Sequence, residues 1–208
     1  LQLIDSIRNQ LRNAQSELRF ELLNDLAWEY RWAYPDSTIH YAKQANSLGH
    51  SLKLTKSMAK PMNFMGVALN YKGDRLSAFE HYDQALAISM AQNDSLQIAH
   101  SNNNLGRLFF EQGLLARSYT YFVKALSIFE AIADPTGLAY TNQSLANLYK
   151  MQRDYAKAEQ NYLKPNQIRL SLGNTRDIMS AYLQTARLCE ERRELDKGLR
   201  LLQMADCA

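Results

Sequence analysis

The feature that most constrains this chain is a 40-residue register kept by four separate columns of residues. Gly66, Gly106, Ala146 and Ala186 succeed one another at that step, and Gly73 is followed by Gly113. Ala85, Ala125, Pro165 and Ala205 form a third series, and Tyr82, Phe122, Tyr162 and Leu202 a fourth. A period of this length signifies stacked supersecondary units. Each unit is too small to bury its own apolar face, so it buries that face against its neighbours.

Within one period the pattern is that of two helices. Asn104 to Phe109 forms the first, and Glu111-Gln112-Gly113 forms a turn. Ser118, Tyr119, Phe122, Ala125, Leu126 and Phe129 then recur at three- and four-residue steps, the spacing of one helix face. Small side chains at 66, 106, 146 and 186 let two helices cross closely, and the aromatic column fills the space between units. Helix-start chemistry marks the unit borders. Asp94-Ser95 precedes Leu96, and Asp134 precedes a proline suited to the first helical position. Gly173-Asn174-Thr175 is a stop followed by a start. Gly49, Gly73, Gly113 and Gly173 are expected in turns. Pro165, inside a second helix, is expected to kink or end it near 161–164, whereas Pro61 falls near the start of a first helix. No alternating pattern of strand length occurs, so the fold class is all-α.

Several function classes are disfavoured. Lys and Arg number 24 against 21 Asp and Glu, a net charge of +3, and the two signs are interspersed. No basic stripe of the kind that binds nucleic acid is present. His40, His50, His81 and His100 are isolated from one another, and Cys189 and Cys207 form neither a zinc pattern nor a disulfide framework. No phosphate-cradling glycine loop or serine elbow occurs, so no catalytic residue, metal or cofactor is expected. No apolar run has membrane-spanning length, so this segment is not expected to insert into a bilayer. The opening on Leu1 and the stop at Ala208 suggest a processed protein or a piece of a longer one.

The columns resemble the tetratricopeptide repeat. Gly66, Leu69, Gly73-Asp74, Ala78, Tyr82 and Ala85-Leu86 carry its motif in one unit, and Leu105-Gly106, Phe109, Gly113, Phe122 and Ala125-Leu126 carry it in the next. Leu145-Ala146, Tyr149, Asp154-Tyr155, Ala158 and Tyr162 follow. Ala186, Gly198, Leu202 and Ala205 make a weaker unit, and Leu26-Ala27, Tyr30, Tyr41 and Ala45 make the first, with a shorter turn. The family's usual period is about 34 residues, so these units are of an extended kind. The resemblance implies a right-handed α-α superhelix of about five helix pairs. Residues 1–15 would form a capping helix built on Leu3, Ile4, Ile7 and Leu11, ahead of units near 16–50, 52–92, 94–132, 134–172 and 174–208.

The family presents the first helix of each pair on a concave face that binds proteins or peptides. Carried over by column, that face includes Glu21, Asn24, Trp28, Arg31 and Trp32, then Lys60, Asn63, Asn70 and Tyr71, then His100, Asn103, Arg107, Phe110 and Glu111. Tyr140, Gln143, Asn147 and Lys150 continue it, followed by Arg187, Glu190 and Glu191. Amides can bond a peptide backbone, arginine can hold a carboxylate at two points, and aromatics can anchor. The same tryptophans could equally be packing residues against the amino-terminal helix, and the amides could be solvated. Asn63, Asn103, Arg107, Asn147 and Lys150 resemble the family's carboxylate clamp. The stretches 22–30 and 35–42 resemble the opening repeat of bacterial sensor proteins, which implies a sensing region in signal transduction, extracytoplasmic if membrane-anchored. The alternative is a cytoplasmic adaptor or a regulator of a transcription factor. The oligomeric state stays open.

Overall fold

The structure, a computed structural model, describes residues 2–164 and 175–206. Among these it contains α1 (Gln2–Asn13), α2 (Ser16–Tyr30), α3 (Pro35–Ser51), α4 (Ala59–Tyr71), α5 (Arg75–Ala91) and α6 (Ser95–Glu111). There follow α7 (Leu115–Ala131), α8 (Pro135–Met151), α9 (Tyr155–Leu163), α10 (Thr175–Glu191) and α11 (Leu195–Asp206). No strand occurs among the described residues. The chain divides into two compact units, Leu1–Leu108 and Phe109–Ala208.

Helix ends explain the periodicity better than glycine does. Left-handed backbone recurs at Lys53, Gly73, Asn93, Gly113, Ala133, Arg153 and Arg193, with φ between 51° and 84°. These positions are 20 residues apart, half the sequence period, with one step outside the described residues. After each, a backbone N–H reaches back to the helix: Asp74 to the Leu69 carbonyl at 3.0 Å, Asp94 to Ser89 at 2.9 Å, Asp134 to Phe129 at 3.0 Å and Glu194 to Cys189 at 2.8 Å. This closing bond satisfies a carbonyl that the helix end leaves without a partner. Gly49 departs from the expectation of a turn. It lies inside α3, buried, where an added Cβ would run into the Met58 sulfur. Pro165, Gly173, Asn174 and Cys207 lie outside the described residues, so the expectations placed on them are not addressed.

Helix starts are capped by aspartate. Asp94 accepts from the Gln97 N–H and also from the Ser57 N–H, each at 3.1 Å, which ties the α3–α4 link to the head of α6. Asp134 accepts from Thr136 and Gly137 N–H groups ahead of Pro135. Asp74 and Asp154 cap α5 and α9 through the Ser77 and Lys157 N–H groups, and the side chains of Ser77 and Lys157, followed by those N–H groups, hold both carboxyls below the usual range. Pro61 falls in the first turn of α4, where its missing N–H costs little.

In the first unit α1 lays Ile7 against Leu22, Leu26 and Tyr30 of α2, with Ile4 and Leu11 beside them. The alanine column closes each crossing: Ala42, Ala45, Ala78 and Ala85 are fully buried. Gly66 is held by shape, because an added Cβ would stand 2.5 Å from the Tyr82 ring. In the second unit Phe122 packs with Leu145 and Leu148 of α8, flanked by Phe110, Leu126 and Tyr149. Gly137, which fits none of the sequence columns, lies under the Phe129 ring with no room for a Cβ. Ala186, Cys189 and Leu201 close the packing of α10 and α11, and burial pushes the Cys189 thiol up.

Candidate functional site

The first helices of three successive pairs, α2, α4 and α6, build one aromatic and guanidinium cluster in the first unit. Trp28 ends up against Phe64 of α4, with ring centroids 5.8 Å apart. Trp32, in the turn after α2, meets Tyr71 at the end of α4 edge-on at 5.1 Å. The Arg31 guanidinium lies 3.4 Å over the Trp28 ring and 5.0 Å from Trp32, and its Nη1 donates to the Trp28 carbonyl. Arg107 of α6 stands 5.5 Å from the same Trp32 ring. Trp28, Trp32 and Tyr71 are 37%, 43% and 51% exposed, so about half of each ring surface faces solvent while the rest is braced. Rings fixed in this way lose little freedom on meeting a partner. Each guanidinium over an indole face adds roughly 0.5–1 kcal/mol at an exposed site.

The amide column behaves differently. Asn63 is 3% exposed. Its amide donates to Gln97 at 3.3 Å and Ser101 at 3.0 Å, and its oxygen accepts from Asn104 at 3.1 Å. It joins α4 to α6 instead of facing a groove. Asn24 is 2% exposed and donates to the Phe20 carbonyl, and Asn103 is 8% exposed. Asn70 and His100 are half-buried. Lys60 pairs with Glu21 at 2.7 Å across α4 and α2. Close by, burial and then Glu21 raise the Asp25 carboxyl.

In the second unit Phe110 belongs to the packing around Phe122. The Tyr162 hydroxyl donates to the Asn147 oxygen at 2.5 Å, and burial together with Glu191 pushes this phenol up to about 12. Lys150 pairs with Glu191 at 2.6 Å. Tyr140 is 37% exposed, Gln143 is half-buried and Arg187 is exposed. The five residues of the expected clamp therefore divide. Asn63, Asn103 and Arg107 lie in the first unit and Asn147 and Lys150 in the second, and Asn63, Asn147 and Lys150 hold protein partners. Phe64, Gln97, Ser101 and Asn104 were not singled out in the sequence, although Phe64 is an aromatic in an otherwise polar column. A separate pocket of about 410 Å³ between α2 and α3 is lined by Arg19, Leu23, His40, Lys43, Gln44, Ser47 and Leu48, none of them an expected site residue.

Among the described residues no group of three His, Cys, Asp or Glu is placed to hold a metal ion. No helix among them is long and apolar enough to cross a membrane.

An all-α array of helix pairs, with small residues at each crossing and an aromatic surface on successive first helices, defines the class: a helical repeat protein. Residues 97–164, about a third of the chain, match the family model described as tetratricopeptide repeat. Solved structures give the same fold. BtubC (BKLC) from P. vanneervenii is 17% identical with a TM-score of 0.72, over 98% of this chain and 85% of that one. A Rap protein complexed with Competence and Sporulation Factor is 17% identical with a TM-score of 0.70, over 98% and 68%. A signal transduction ATPase with numerous domains and a tetratricopeptide repeat sensor, from Pyrococcus horikoshii, is 15% identical with a TM-score of 0.61, over 98% and 35%. No curated protein matches the sequence.

Proposed function

We propose that this chain is a non-catalytic scaffold that binds a protein or peptide, and that its first unit holds the ligand against Trp28, Trp32 and Tyr71, with Arg31 and Arg107 beside them. The observation that carries the reading is the three-helix cluster. It gathers the chain's two tryptophans into one half-exposed surface. Tryptophan, tyrosine and arginine are the side chains on which binding energy concentrates. Tyr140 and Gln143 of α8, with exposed Arg187 of α10, offer a second stretch of similar character in the second unit. The finer reading is the sensing or interaction region of a bacterial signal-transduction protein. It draws support from the Rap protein that carries a bound factor and from the ATPase whose repeats are called a sensor.

The test is to pan a random peptide library displayed on phage against the full chain, and to measure the enriched peptides by calorimetry on the wild type and on Trp32→Ala. Affinity should fall at least about tenfold in the variant, in the range of an interface anchor, while its thermal unfolding stays near that of the wild type. Enriched peptides that bind both proteins equally would remove the cluster from the binding site.

A further inference from the structure

We infer that the pocket between α2 and α3 binds a phosphomonoester, with Arg19, His40 and Lys43 holding the phosphate and the organic body of the ligand lying over Leu23 and Leu48. None of these residues belongs to the tryptophan cluster, so the two sites stand independently.

Charge is unevenly spread along the first unit. The two signs are interspersed over the chain as a whole, but from 37 to 73 there is no Asp or Glu, against five Lys and two His. Two of those lysines find partners outside the stretch, Lys60 with Glu21 at 2.7 Å and Lys72 with Asp36 at 2.5 Å. Lys43 has no acidic partner among the described residues, and neither has Arg19. The pocket collects both. His40, Lys43, Gln44 and Ser47 recur at three- and four-residue steps, which places them on one face of α3. Arg19 and Leu23, four residues apart on α2, form the other wall, and no acid lines the space.

The wall residues suit a phosphate group. Arg19 Nη1 donates to the Leu11 carbonyl at 3.0 Å, which steadies the half-buried guanidinium and leaves its other N–H donors for a ligand. The Gln44 side-chain nitrogen lies 2.7 Å from His40 Nε2. With the amide donating there, a neutral imidazole carries its proton on Nδ1 as a further donor. Lys43 adds a mobile point charge. Three nitrogen groups match the three terminal oxygens and the near-double charge of a phosphomonoester, whereas a carboxylate brings two oxygens and one charge. The floor is apolar: Leu23 is 1% exposed and Leu48 is half-buried. The volume of about 410 Å³ is in the range that takes a small organic ligand, and an inorganic phosphate ion would leave the leucines uncovered.

The experiment titrates phenyl phosphate, inorganic phosphate and benzoate into the full chain, followed by NMR. Phenyl phosphate should bind saturably with a Kd that is roughly millimolar, since Lys43 and His40 are exposed and screened. Inorganic phosphate and benzoate should each bind about tenfold more weakly, one lacking the apolar body and the other a charge and an oxygen. Lys43→Gln should weaken phenyl phosphate about tenfold, and Arg19→Gln at least as much. Lys56→Gln removes the same charge outside the pocket and should cost less than about twofold. The Lys43 side chain is exposed, so its replacement leaves the fold intact. Trp32→Ala should bind phenyl phosphate as the wild type does, which separates this site from the peptide surface. Cosedimentation with phosphatidylcholine vesicles carrying phosphatidic acid identifies the source of the group. Retention that phenyl phosphate displaces and Lys43→Gln abolishes makes it a lipid headgroup, and saturable phenyl phosphate binding without retention makes it a soluble compound. Absence of saturable binding, benzoate binding as tightly as phenyl phosphate, or equal losses in Lys43→Gln and Lys56→Gln would overturn the assignment.

Discussion

At the residue scale, two glycines show that shape, not conformational freedom, governs the helix crossings. Glycine inside a helix normally gains about 1 kcal/mol when replaced by alanine. Gly137→Ala should reverse that sign, because the new methyl meets the Phe129 ring in a packed crossing. Overpacking of this kind costs roughly 1–3 kcal/mol, read as a lower urea midpoint. Combining it with Phe129→Leu should return part of the loss, since the two sites exchange volume. The same complementarity appears at Gly49, where α3 is small and the following segment brings Met58. Asn63 carries the second residue-scale prediction. Asn63→Ala strands Gln97, Ser101 and Asn104, so it should cost about 1–3 kcal/mol of stability. A variant as stable as the wild type would mean that the network is dispensable. The sequence held the clue to this burial: Asn63 precedes Gly66 by three residues, as Asn103 precedes Gly106, and that spacing places both on the face of the small-residue column. The row that reaches solvent instead holds Trp28 and Trp32, one and five residues after Ala27, Tyr71, five after Gly66, and the half-buried Arg107, one after Gly106, while Val67, one after Gly66, is buried. Column-to-surface transfer without this rotation put buried and solvent-reaching residues of the same helices into one set.

At the element scale, α3 to α8 and α10 end in the same way whether or not glycine is present. Gly73 and Gly113 were legible as turn residues because only their identity signals left-handed backbone. Lys53, Ala133, Arg153 and Arg193 adopt it too, and nothing in these side chains announces it. The stacking of the next helix fixes the turn and overrides a local cost of roughly 1 kcal/mol. Ala133→Gly should therefore stabilise the protein by up to about 1 kcal/mol, seen as a higher melting temperature. A fall in melting temperature would show that the backbone at Ala133 is not left-handed. The link after α2 is the exception. It runs four residues, 31–34, against three in the turns within the later described pairs, and Tyr34 N–H closes onto the Tyr30 carbonyl at 2.9 Å instead. That link is where Arg31 and Trp32 stand, beside the last residue of α4.

At the scale of the whole molecule, most of the architecture could be read from the sequence because contacts are local. A repeat buries its columns against adjacent helices, so period and register carry nearly all the topology. The division into two units, Leu1–Leu108 and Phe109–Ala208, could not be read, since the 40-residue columns run through that border without a break. Alkaline unfolding is a property of the ensemble of helices. The phenols of Tyr149 and Tyr162 are each raised to about 12, chiefly by burial, above the ordinary tyrosine value near 10. A folded-state value above the unfolded one means that the stabilisation is fully present below pH about 10. It is lost as pH climbs through about 12, so the urea midpoint should drop steeply across that window. Tyr162→Phe should flatten part of the drop, and an unchanged profile would mean that the phenol already ionises freely in the fold.

The claim that organises the functional reading is that ligand meets the chain at its two tryptophans. A nitrogen-edited NMR spectrum of the full chain contains one indole N–H signal for each, Trp28 and Trp32. Titrating in a panned peptide should move both signals saturably, with the same midpoint as calorimetry. Binding seen by calorimetry while both indole signals stay in place would contradict the account.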